Sequence, residues 1–197
     1  MTDHSICGLI LTGGASRRMG SDKAMLEYRD QPQAVYLTTI MEQLNIPTYI
    51  SCRKGDGEKW YPFKTIEDAY SGIGPLAGIL SAFDQFPNSA FFVLACDYPL
   101  LRTRDLKWLL ESRSFEHDVT AICLPQNKWG EPLLAIWEPS SHAALRQAYQ
   151  SGNYRLMDLL SKLDVQLVSP ESPTFFQQAN DQKEKEQLDE FLKHHST

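Results

Sequence analysis

Short, wholly apolar runs alternate along this chain with longer segments whose apolar residues recur every three or four positions. Ile6 to Leu11 is the first such run, and a short run apolar on both sides reads as a strand of a parallel sheet. Pro32 then opens a segment through Leu44 with Ala34, Val35, Leu37, Ile40, Met41 and Leu44 at helical spacing, and proline suits a helix start. Pro47 to Cys52 reads as a second strand and completes a β-α-β unit, whose crossover is right-handed. Residues 53–66 are polar, contain Gly55, Gly57 and Pro62, and read as a loop or a short irregular piece. Gly74-Pro75 marks a second helix, which runs to about Phe86 and stops before Pro87. Ala90 to Cys96 is apolar throughout and is expected at the centre of a sheet. Thr103 to Leu110 reads as a helix capped by Thr103. Val119 to Leu124 and Pro132 to Trp137 read as strands on either side of a polar turn. Ser140 to Gln150 is expected as a serine-capped helix with Ala143, Ala144, Leu145 and Ala148 inward. Arg155 to Leu163 is a further helix, striped by Leu156, Met157, Leu159, Leu160 and Leu163, and Val165 to Val168 a last strand. A charged helix closes the chain at about 182–194.

This alternation gives an α/β fold: a single Rossmann-like, doubly wound domain over 1–197, with a mostly parallel, mixed sheet. The length suits one domain with its own core. A net charge of −6 argues against nucleic acid as partner but leaves room for a small phosphorylated substrate, which needs only a few local cations. No apolar run is long enough to span a bilayer, so no membrane partner is expected. Met1-Thr2-Asp3-His4 lacks the charged and apolar blocks of a signal peptide, which makes the cytoplasm the expected location. Cys7, Cys52, Cys96 and Cys123 form no C-x-x-C pair and read as buried, reduced thiols rather than a zinc or redox site.

The candidate chemistry begins where the first strand ends, in Leu11-Thr12-Gly13-Gly14-Ala15-Ser16-Arg17-Arg18-Met19-Gly20-Ser21-Asp22-Lys23. Glycines free backbone N–H groups to approach a ligand, and three nearby cations suit a polyphosphate. The spacing matches neither the P-loop nor the dinucleotide fingerprint. A second candidate is Asp97, which follows the central apolar run directly. Open α/β sheets keep ligands at the carboxyl ends of their strands, and a hard carboxylate there suits Mg²⁺. Glu67-Asp68 followed by Gly74-Pro75-Leu76-Ala77-Gly78 reads by itself as a tight, glycine-packed helix start. Lys128 and Trp129 sit in the turn between two strands, and exposed side chains of these types are common in turns.

The first loop resembles the signature of the MobA-like nucleotidyltransferases, a strand followed by L-x-G-G-x-x-x-R-M-G-x-D-K. Leu11, Gly13, Gly14, Arg18, Met19, Gly20, Asp22 and Lys23 carry the match. The double glycine is similar to the guanylyltransferases of molybdenum cofactor synthesis, whereas relatives using CTP more often carry L-A-A-G. Asp68 and Gly78 match the family's second motif, an acidic residue before G-P-L-A-G, and Asp97 its central strand ending in C-D-x-P. The tail from Phe176 is similar to F-x-N-[IV]-N-T-P-E. Asn180 stands at the second asparagine, Gln178 replaces the first, and Asp181-Gln182 replace Thr-Pro.

The resemblance implies a fold of the nucleotide-diphospho-sugar transferase type. It also implies a Mg²⁺-dependent transfer of GMP from GTP to the phosphate of molybdopterin, with release of pyrophosphate. Lys23, Arg18 and Asp97 are then the catalytic residues, with Asp97 on the metal. Leu11, Gly13, Gly14, Lys23, Asp68, Gly78 and Asp97 bind nucleotide, and Asn180 and Gln178 face the second substrate. Lys128 and Trp129 are further candidates near the pterin phosphate, and transient contact with other cofactor-synthesis proteins or molybdoenzymes is expected. A related enzyme using CTP or a sugar phosphate is the alternative, as is a non-catalytic GTP-binding partner in molybdenum cofactor insertion.

Overall fold

A computed structural model describes residues 5–13, 23–124, 128–171, 176–177, 184, 188 and 190, with Lys23 described by its backbone alone. Seven strands form one sheet: β1 (Ile6–Leu11), β2 (Thr48–Cys52), β3 (Thr65–Glu67), β4 (Ala90–Ala95), β5 (Val119–Ile122), β6 (Leu134–Trp137) and β7 (Val165–Val168). Their spatial order is β3-β2-β1-β4-β6-β5-β7. All pairings are parallel except those of β6, which runs antiparallel to β4 and β5 and makes the sheet mixed. Among the described residues, five continuous α-helices flank it: α1 (Gln33–Glu42), α2 (Leu76–Gln85), α3 (Thr103–Glu111), α4 (His142–Gln150) and α5 (Leu156–Leu160).

The alternation of side chains along β1 divides the core in two. Ile10 joins Leu37, Ile40 and Met41 of α1 and Leu106 and Leu109 of α3 on one face. Leu9 and Leu11 join Ile79, Leu80 and Phe83 of α2, Leu145 of α4 and the leucines of α5 on the other. Helices therefore cover both faces, which is why β4 is buried along its whole length and had to be apolar throughout. Among the described residues, no helix is long and apolar enough to cross a membrane.

Several sequence expectations are corrected. Residues 53–66 are not all loop: a 3-10 turn forms at Gly57–Trp60, and β3 begins at Thr65. Three residues with only Ile66 buried carry no legible period, so their pairing to β2 defines this strand. Thr103 does not cap α3. It is the first helical residue, and its hydroxyl donates to Gln43 Oε1 at 2.6 Å, while Asp105 accepts from the Arg102 N–H at 3.0 Å. α4 is preceded by a 3-10 turn at Pro139–Ser141 without a serine side-chain cap, and Ala143 is exposed. The final helix can be followed at Glu184, Leu188 and Glu190, all helical. Cys7, Cys52 and Cys96 are buried and Cys123 is half-buried, and none of the four forms a disulfide.

Candidate functional site

β1, β2, β3 and β4 point their carboxyl ends to one edge of the sheet, and the candidate residues collect there. Leu11 closes β1 in register with Ala95 of β4, and its carbonyl receives the Cys96 thiol at 3.6 Å. Thr12 turns the chain out of the sheet. Its N–H and hydroxyl both donate to the Ser51 carbonyl, at 3.2 and 2.6 Å, so the start of the glycine loop is fastened to the end of β2. Gly13 is outside the left-handed region, so backbone freedom is not its use here. A side chain at Gly13 would begin 3.5 Å from Asp68 Oδ2 and narrow the space above that carboxylate.

Asp68 follows β3, and its N–H donates to the Cys52 carbonyl at 2.8 Å. The Ser51 hydroxyl donates to Asp68 Oδ1 at 2.8 Å. Burial pushes the Asp68 carboxyl above its ordinary pKa, against the opposing pull of the Ser51 hydrogen bond and the Arg53 charge. Gly78 lies beneath this pair in the first turn of α2. A Cβ there would stand 2.3 Å from Ser51 Oγ and 2.7 Å from Leu11 Cδ2. The glycine therefore lets α2 pack against the residue that orients Asp68. Nothing in the sequence pattern marks Ser51 or Thr12. They become visible only once β2 lies between β1 and β3. The loop after Asp68 is held by Ala69 N–H on Ser81 Oγ at 2.9 Å and by Tyr70 Oη on Asp84 at 2.5 Å.

Asp97 is the one residue between Ala90 and Leu101 that is not buried. The loop it opens is clamped by the segment leading into and through α1. Gln33 Nε2 donates to the Tyr98 carbonyl at 3.1 Å, Arg29 to that of Pro99 at 2.6 Å, and Tyr36 Oη to that of Leu101 at 2.7 Å. Arg29 also lies over the Tyr36 ring, 4.1 Å from its centroid. The chain that leaves the cationic loop thus returns to hold the loop of Asp97.

Among the described residues no group of three or more His, Cys, Asp or Glu side chains is placed to hold a metal ion. A single half-buried carboxylate, Asp97, is compatible with Mg²⁺, which keeps several waters and can take its remaining ligands from phosphate oxygens of a substrate. A cavity of about 280 Å³ opens beside Thr12 and Gly13, walled by Cys52, Arg53, Lys59 and Trp60. Burial pushes the Cys52 thiol up to about 11, so it is an unreactive wall and not a nucleophile. A second opening of about 350 Å³ lies between α3 and Phe176, beside Arg102, Arg104 and Trp108.

Leu11, Gly13, Asp68, Gly78 and Asp97 are thus brought to one edge of the sheet. The backbone of Lys23 begins a 3-10 turn at Lys23–Met25. Gly14, Arg18, Gln178 and Asn180 lie outside the described residues. Lys128 and Trp129 form an exposed turn with the ammonium 5.2 Å from the indole centroid.

A family model described as the MobA-like NTP transferase domain matches residues 8–167. The chain is 28% identical over 169 residues to a molybdenum cofactor biosynthesis bifunctional protein of Synechocystis, covering 84% of this chain but only 48% of that protein. It is 27% identical over 181 residues to a probable molybdenum cofactor guanylyltransferase of Flavobacterium johnsoniae, covering 90% of this chain and 92% of the relative. Its fold is similar to the crystal structure of molybdopterin-guanine dinucleotide biosynthesis protein A from Archaeoglobus fulgidus. The TM-score is 0.78 at 22% identity, over 95% of this chain and 98% of that one.

Proposed function

The chain belongs to the MobA-like NTP transferase family, and from that premise we propose that it transfers GMP from GTP to the phosphate of a molybdopterin-type acceptor. The observation that carries the choice of base is Asp68, whose Oδ1 is engaged by Ser51 while Oδ2 lies beside the bare Cα of Gly13. A carboxylate accepts hydrogen bonds from guanine N1–H and the 2-amino group. Cytosine offers it only the N4 amino donor, with the lone pairs of N3 and O2 in place of a second one. The named activity of the Flavobacterium relative agrees with this reading.

The acceptor phosphate is already largely ionised near neutral pH, with a second pKa of about 6. It needs no general base, and the chain is left to position and neutralise charge. An acceptor oxygen attacks the α-phosphorus of GTP, the bond to the β-phosphate breaks, and pyrophosphate leaves. The backbone at Gly13 and Gly14 cradles the nucleotide, while Lys23 and Arg18 balance the departing charge. Asp97 would hold Mg²⁺, which would supply further neutralisation of the phosphates. Asn180 and Gln178 face the acceptor in this scheme, and the reaction takes place in the cytoplasm, with transient contacts to other cofactor-handling proteins.

Pyrophosphate release with Mg²⁺ and each of the four ribonucleoside triphosphates, with and without a molybdopterin acceptor, tests the proposal. Release with GTP that depends on the acceptor is expected. Release with CTP alone would overturn the choice of base, and GTP binding without release under any condition would mean a non-catalytic partner.

A further inference from the structure

We propose that Arg53 reads the acceptor edge of guanine, O6 and N7, while Asp68 reads the donor edge. The ends of β2 and β3 would then select the base together. The inference rests on the guanine-nucleotide reading above and adds a residue that no motif in the chain singles out.

The register places the two residues side by side. β2 and β3 run parallel with Cys52 opposite Glu67, so the next step sets Arg53 beside Asp68, and the Asp68 N–H on the Cys52 carbonyl fixes that step. Arg53 is the first residue past β2; it lines the cavity that also holds Gly13, and its charge acts on the Asp68 carboxyl. Ser51 and Cys52 are buried and Arg53 is exposed, so its head reaches the mouth of the cavity beside Thr12 and Gly13.

The charges at this mouth are already sorted. Lys59 is paired with Asp56, and Asp68 Oδ1 is taken up by Ser51. The ion pairs among the described residues do not include Arg53. Arg53 and Asp68 therefore both border Gly13: Arg53 lines the cavity that holds it, and Asp68 Oδ2 would lie 3.5 Å from a Cβ built on it. Guanine offers donors at N1 and N2 and acceptors at O6 and N7 on adjoining edges. Bidentate arginine on O6 and N7 is a recurrent pairing, and the exocyclic amine of adenine or cytosine would instead face the guanidinium donors.

Calorimetric titration of the full chain with Mg²⁺ and GTP, 7-deaza-GTP or CTP tests this atom by atom, using wild type, Arg53→Met and Arg53→Lys. In wild type, 7-deaza-GTP, which lacks the N7 acceptor, is expected to bind several-fold more weakly than GTP. Arg53→Met is expected to weaken GTP about tenfold or more and to abolish its advantage over 7-deaza-GTP. Arg53→Lys, which keeps the charge but not the fork, is expected to lose most of that advantage too. An equal loss for GTP, 7-deaza-GTP and CTP would place Arg53 on ribose or phosphate and overturn the proposal, as would an unchanged GTP to 7-deaza-GTP ratio in Arg53→Met. A wild-type chain that prefers CTP would overturn the function reading first and this one with it. A wild-type preference for GTP over 7-deaza-GTP that survives Arg53→Met, with GTP still preferred to CTP, would overturn this proposal alone.

Discussion

Asp68 is half-buried at the end of β3, and burial holds its carboxyl above the ordinary aspartate pKa. The folded protein keeps this proton to a higher pH than the unfolded chain, whose value is about 3.9. Stability from this group is therefore full below the unfolded value and is lost as pH rises through the raised folded value. Near neutral pH the fold carries a half-buried carboxylate that costs it stability. Asp68→Asn keeps an oxygen for the Ser51 hydroxyl but turns amide hydrogens toward the donors of guanine. We expect the melting midpoint at neutral pH to hold or rise, while GTP affinity falls about tenfold or more, the scale of a lost charged hydrogen bond. In wild type, GTP binding should weaken on acidification through the raised Asp68 pKa. A sharp drop in the melting midpoint with unchanged GTP affinity would make the carboxylate structural. Asp97 was legible because it ends an apolar run before proline, whereas Asp68 was legible only through the resemblance of its place before Gly-Pro-Leu-Ala-Gly to the family's second motif. Ser51 was not, since a serine at a strand end has no distinguishing period, and its role depends on a strand of three residues across from it.

Among the elements, burial alone did not decide how well a strand was read: β7, only partly buried, falls on the expected Val165–Val168, whereas β5 and β6, buried throughout, are shorter than the expected runs. β1 and β4 are apolar on both faces, and their observed bounds fall on the apolar runs themselves. Misreadings cluster where a cap or a 3-10 turn resets the helical phase, as at Thr103 and at Pro139–Ser141 before α4. The clamp between α1 and the loop after β4 was equally invisible, because its acceptors are backbone carbonyls. Gln33 is 1% exposed at the start of α1, and its amide donates to the Tyr98 carbonyl. Gln33→Leu leaves that carbonyl without this donor, at a cost of about 1–3 kcal/mol. At about 2–4 °C per kcal/mol for a chain of this size, a fall of several degrees in the melting midpoint is expected. If the clamp also sets Asp97, the Mg²⁺ concentration for half-maximal pyrophosphate release should rise as well. An unchanged midpoint would show that the loop is held without it.

At the scale of the whole molecule, function follows from strand order. In β3-β2-β1-β4-β6-β5-β7 the chain builds outward from β1 through β2 and β3, then crosses to β4 on the other side. Ligands of open α/β sheets bind at such a switch, outside the carboxyl ends of the strands, and here the switch lies between Leu11 and Ala95, with Gly13 and Asp97 just beyond. The parallel character was legible from the apolar runs, but the order was not, because spacing along the chain does not say which strand crosses to which side. A nucleotide bound at this switch touches the ends of β1, β2, β3 and β4 together, none of which forms such a site in the unfolded chain. Binding should therefore stabilise the domain as one unit. At a hundredfold excess over Kd the linkage amounts to about 2.7 kcal/mol, or about 5–10 °C in the melting midpoint. Mg²⁺ with GTP is expected to give a shift of that size and Mg²⁺ with CTP a clearly smaller one. Asp97→Asn should lose the part of the shift that Mg²⁺ adds, and Asp68→Asn the difference between GTP and CTP. Equal shifts with both nucleotides would overturn the base assignment while leaving the binding edge in place. No shift with either would remove the nucleotide from this edge of the sheet.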